Sequence, residues 1–85
     1  MALTKEQAIQ EAEAHRGTAD LAFDVFIELT DAELDPVEFE YAQALESLDG
    51  NWLVVLRDIG CEAFLRKDVL HYFQEPTLEI TGQGE

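Results

Sequence analysis

Residues 35–52 read Asp35-Pro36-Val37-Glu38-Phe39-Glu40-Tyr41-Ala42-Gln43-Ala44-Leu45-Glu46-Ser47-Leu48-Asp49-Gly50-Asn51-Trp52. Two structures compete for 37–48. Asp35 as N-cap, Pro36 at the first helical position and Glu38 at the third make a sound helix start. Val37, Tyr41, Leu45 and Leu48 would then share one helical face. Against this, Val37, Phe39 and Tyr41 alternate with Glu38 and Glu40, which is the period of a half-buried strand. The stretch 48–52 looks like a hairpin turn into Trp52-Leu53-Val54-Val55-Leu56, and a hairpin needs an antiparallel strand immediately before it. That favours the strand. A helix over 37–48 would instead make a βαβ crossover, still a mixed fold.

Upstream, 21–30 alternates cleanly, with Phe23, Val25, Ile27 and Leu29 on one side and Asp24, Phe26 and Glu28 on the other. Phe26 is then an aromatic on an acidic face, either covered by a helix or serving as a contact anchor. Residues 31–36 connect the two strands. Residues 4–16 read as a helix, with Thr4 and Gln7 forming a capping box and Gly17 placed as its C-terminal glycine. Its apolar stripe, Ala8, Ile9 and Ala12, is narrow and suits docking on a sheet. Downstream, 52–56 is apolar throughout, as in a strand covered on both faces, and Gly60 ends it. Residues 62–74 read as a second helix, because Leu65, Val69, Tyr72 and Phe73 roughly align. Residues 77–81 suggest a short edge strand, and 82–85 a frayed tail. The expectation is one small α+β domain over 1–81: an N-terminal helix, a three-stranded mainly antiparallel sheet and a C-terminal helix. Eighty-five residues bury only roughly 60% of the unfolded surface, so stability is expected to be modest.

The formal charge is −14 and it is segregated. From Gly17 to Leu56 there is no Lys or Arg, against ten carboxylates: Asp20, Asp24, Glu28, Asp31, Glu33, Asp35, Glu38, Glu40, Glu46 and Asp49. The five bases, Lys5, Arg16, Arg57, Arg66 and Lys67, all lie outside. Such a patch attracts cationic surfaces and repels phosphate. The expected order of helix, three strands and helix is similar to that of double-stranded-RNA-binding domains in topology alone. Those domains grip phosphates with basic residues, so direct nucleic-acid binding is not expected. Anionic lipid is disfavoured for the same reason, and no apolar run is long enough to span a membrane. A single cysteine, Cys61, and an N-terminus without a signal-peptide pattern point to the cytoplasm.

The acids are the first candidates for chemistry. Asp31, Glu33 and Asp35 have the first spacings of a calcium loop, but Pro36 replaces its turn glycine and Ala42 its bidentate glutamate. Cys61, His15 and His71 lack paired zinc-ligand spacing. Cys61 has Glu62 beside it, which opposes a thiolate, so it reads as a packing residue. No cofactor, metal or catalytic constellation is expected, and the chain does not read as an enzyme.

What remains is binding. The carboxylates interleave with Phe23, Phe26, Phe39, Tyr41 and Trp52, and alternate strand residues about 6.5–7 Å apart can present charge as a row, like a nucleic-acid backbone. The expected contact residues are Asp24, Phe26, Glu28, Asp31, Glu33, Asp35, Glu38 and Glu40, facing a basic protein surface. The opening Leu3-Thr4-Lys5-Glu6-Gln7-Ala8-Ile9-Gln10-Glu11-Ala12 and the turn Asp49-Gly50-Asn51-Trp52 resemble small bacterial PepSY-like and toxin-immunity domains. That resemblance implies a protein that neutralises a partner by covering its active surface. Acidic phage inhibitors of restriction or CRISPR systems are similar in size and charge. The expectation is an inhibitor or immunity factor for a basic, nucleic-acid-processing enzyme. The alternative is an adaptor or homodimeric subunit, joined through Val54 and Leu56 on an uncovered sheet, whose acidity serves solubility.

Overall fold

The structure is a computed structural model, described here for residues 2–77. The N-terminal helix α1 spans Lys5–Glu13 and is followed by a 3₁₀ turn, Arg16–Thr18. Five strands follow: β1 Phe23–Leu29, β2 Val37–Glu46, β3 Trp52–Arg57, β4 Cys61–Leu65 and β5 Val69–Pro76, with a 3₁₀ turn at Arg66–Asp68 before the last. They form one antiparallel sheet in the order β4-β3-β2-β1-β5.

The segment 37–48 is thus a strand as far as Glu46. The expected three-stranded sheet and C-terminal helix are overturned: 62–74 forms β4, a 3₁₀ turn and most of β5. The helical spacing there has two local causes. The turn at Arg66–Asp68 separates Leu65 from Val69 by four positions. Then Leu70 is an extra residue on β5, because Glu28 faces His71 while Leu29 faces Val69. That bulge separates the inward-facing Val69 and Tyr72 by three positions instead of two. A turn plus a bulge imitates the i, i+3, i+4 signature of a helix. Within β4 the period is two: Cys61 and Ala63 pack toward α1, while Phe64 packs on the other core. The tail expected over 82–85, and all but Thr77 of the expected edge strand 77–81, lie outside the described residues.

β2 is shared by two half-sheets. Its first part pairs with β1 and its second with β3, the pairings meeting at Ala42. Between them sits another bulge: Phe23 faces Ala42 but Val25 faces Phe39, and Tyr41 adopts a left-handed φ of 54°. A bulge bends its strand and adds twist. The 3₁₀ turn that joins β4 to β5 links opposite ends of the strand order, so the sheet curls on itself. Bonds from Thr30 N–H to Asp68 O (2.9 Å) and from Arg66 N–H to Asn51 O (2.8 Å) fix that end. Ala44 N–H, beyond the reach of β1, donates instead to Gln74 Oε1 at 3.1 Å. Val25, Ile27, Ala42, Leu53, Val55 and Val69 fill the concave side.

On the convex side α1 lies across β3 and β4. Ala8 and Ala12 bring its backbone close to Val54 and Leu56. The capping box forms as expected, with Gln7 N–H donating to Thr4 Oγ1 and Thr4 N–H to Gln7 Oε1. The helix stops at Glu13, short of the expected 16, with Ala14 rather than Gly17 closing it. Arg16 is instead drawn to the β3–β4 hairpin, donating to Arg57 O (2.6 Å) and Gly60 O (3.1 Å). At the other end Trp52 Nε1 donates to Leu3 O (2.9 Å), and Leu3 N–H donates to Asp49 Oδ2 (2.8 Å).

Candidate partner-binding face

The convex side of the other half-sheet, β5-β1-β2, has no helix laid over it. Strand alternation that buries Val25 and Ile27 turns Asp24, Phe26 and Glu28 outward. Register places Phe26 between Phe73 and Glu38, Asp24 beside Glu75, and Glu28 beside His71. Glu40 follows Glu38 along β2, at the edge of the bulge. The centre of the face is aromatic: the rings of Phe26 and Phe73 stack with centroids 4.8 Å apart and planes 17° apart. Phe73 remains 48% exposed.

The electrostatics are one-sided. His71 Nε2 lies 2.6 Å from Glu28 Oε1, and Thr77 Oγ1 donates to Asp24 Oδ1 at 2.7 Å. All three arginines are engaged elsewhere: Arg16 with Glu13, Arg57 with Glu62 and Arg66 with Glu46. Asp24 and Glu75 stand directly opposite across the strand pair, an arrangement that costs stability. A face built only for solubility does not need a stacked aromatic pair, one ring half-exposed, at its centre.

Of the expected contact residues, Asp24, Phe26, Glu28 and Glu38 are brought together, with Glu40 at their margin. Asp31, Glu33 and Asp35 are not part of this face. They belong to the β1–β2 loop, where Asp31 Oδ1 accepts from Glu33 N–H (3.0 Å) and its carbonyl from Leu34 N–H (3.0 Å). Their spacing serves a turn. The helix considered as a cover for Phe26 is replaced by a ring of β5. Phe73, His71 and Glu75 join the face only because 69–76 is a strand, where a helix was expected over 62–74. The alternation of His71, Phe73 and Glu75 with Tyr72 and Gln74 was the signal. Val54 and Leu56, candidates for pairing with a second copy, are buried beneath α1.

Other titratable groups serve the scaffold. Glu13 is held down to about 2 by Arg16 and by a bond from Cys61. Burial, together with that bond to Glu13 (Sγ to Oε2, 3.1 Å), pushes the Cys61 thiol up to about 11, the opposite of nucleophile activation. Asp49 is lowered to about 2 by the Leu3 N–H, the Ser47 hydroxyl and Asn51. Burial and the bond to Glu46 raise Tyr72 to about 12. Among the described residues no group of three or more His, Cys, Asp or Glu side chains is arranged to hold a metal ion, and no helix is long and apolar enough to cross a membrane.

No family model matches the chain, and no curated protein or solved structure matches it significantly.

Proposed function

We propose that this protein binds a basic protein surface through the convex face of β5-β1-β2 and neutralises it by occlusion. The target class is a nucleic-acid-processing enzyme, whose phosphate-binding groove is lined by basic residues. The observation that carries the reading is the stacked Phe26–Phe73 pair ringed by Asp24, Glu28, Glu38 and Glu75 on an uncovered sheet face. Carboxylates at the rim steer association, and the aromatic centre supplies desolvated contact. The loop acids Asp31, Glu33 and Asp35 extend the attracting field without joining the contact. An immunity factor of this kind, like the toxin-immunity domains that its opening residues resemble, needs no catalytic group of its own. The reading sets the protein in the cytoplasm, where a lone free thiol persists.

The test is to capture binding proteins with the full chain at low and at physiological salt, then assay the recovered protein's activity on nucleic acid. A single basic protein, inhibited in proportion to occupancy, supports the reading. A mixed set of basic proteins that all wash off at physiological salt would leave solubility as the reason for the charge.

A further inference from the structure

We infer that the corner formed by Phe73 and Glu28 is an arginine seat: the partner presents a guanidinium that stacks on the Phe73 ring, pairs with Glu28 and displaces His71. This specifies the chemistry of the docking reading above and rests on it. The molecule builds the same arrangement twice for its own arginines. The Arg57 guanidinium lies 5.4 Å from the Phe39 ring centroid and 3.5 Å from Glu62 Oε2. The Arg66 guanidinium lies 5.4 Å from the Tyr72 ring centroid, with Nε 3.6 Å from Glu46 Oε2. In both cases the ring and the carboxylate come from different strands, and the cation bridges them.

The third arrangement, on the convex face, has its ring on β5 and its carboxylate on β1. The group seated there is the imidazole of His71. It lies nearly parallel to Phe73, at 6.4 Å and 13°, with Nε2 2.6 Å from Glu28 Oε1. A flat ring that stacks on an aromatic and donates to a carboxylate occupies the place a guanidinium would take. The His71 and Glu28 side chains are 58% and 49% exposed, so the imidazole can swing into solvent without opening the core. Phe26, stacked behind, holds the Phe73 ring in orientation. A guanidinium suits this corner better than an ammonium. It is planar, weakly hydrated and able to stack while its fork meets a carboxylate, whereas a lysine head is compact and strongly hydrated.

The test is a residue-resolved NMR titration of the isotopically labelled full chain with Gly-Arg-Gly amide and, separately, Gly-Lys-Gly amide at matched ionic strength. The arginine peptide should bind about two- to fivefold tighter. Its shifts should centre on the Glu28 carboxyl, the Phe73 ring and His71. Phe73→Leu, at a half-exposed position, should abolish the preference. His71→Ala should strengthen arginine-peptide binding by removing the competitor. Equal affinity of the two peptides at this face would overturn the arginine seat and leave the docking face standing. Shifts with neither peptide at Glu28 and Phe73 would overturn both. An unchanged affinity in His71→Ala would overturn the displacement.

Discussion

On β3, Val54 and Leu56 turn outward and meet Ala8 and Ala12 of α1; on β1, the outward positions are Asp24, Phe26 and Glu28, and no helix meets them. Both strands obey the same alternation, and both bury their inward side chains in one concave core. The difference lies in what covers the convex side. A nine-residue helix is long enough to shield β3 and β4 but leaves β1 and β5 to solvent. The uncovered half sets Asp24, Glu28, Glu38 and Glu75 around two stacked aromatic rings that solvation alone does not call for. One half of the sheet is covered on its convex side and the other is open.

The largest expected consequence of that division is in stability. Leu56→Ala, beneath α1, should cost about 2–5 kcal/mol, while Phe73→Ala on the open face should cost about 1 kcal/mol. Urea denaturation compares them, and equal losses would end the distinction between the halves. Thr4→Ala should cost about 1 kcal/mol by removing the capping box, again on the covered side. Its thermal midpoint should fall less than that of Leu56→Ala.

Acid should act through the covered half as well. Asp49 and Glu13 have folded-state values below their ordinary 3.8 and 4.5. Their stabilisation is therefore complete at pH values above those figures and is lost as the pH falls through them toward about 2. Asp49→Asn should flatten part of the acid limb of a stability–pH curve measured by urea denaturation. The smallest effect concerns salt. The Glu38→Gln, Glu40→Gln pair should raise the melting temperature slightly at low ionic strength, with the gain fading at physiological salt.

Much of this organisation was legible in the residues. Thr4 and Gln7 announced the helix start, alternation gave β1, and the turn before Trp52 decided β2 against a helix. The same alternation put Asp24, Phe26 and Glu28 on one face of β1, and that of β2 put Glu38 beside them. β5 was hidden for a physical reason: a bulge at Leu70 and a 3₁₀ turn at Arg66–Asp68 space its apolar residues like a helix. Losing β5 meant losing Phe73, the ring that completes the aromatic centre. The split of β2 was hidden too, since nothing in Glu40-Tyr41 announces a left-handed residue where glycine would be the usual choice. Asp31, Glu33 and Asp35 lie instead in the β1–β2 loop, where Asp31 closes an Asx-type turn onto Glu33 N–H.

The most direct test of the central claim is a matched-charge comparison in the capture experiment. Glu38→Gln with Glu40→Gln removes two charges from the open face; Glu6→Gln with Glu62→Gln removes two from α1 and β4. The first pair should slow association with the recovered basic partner several-fold. The second pair should stay close to the unaltered protein at physiological salt. Equal slowing by both pairs would show that net charge alone drives binding, and would contradict a docking face on β5-β1-β2.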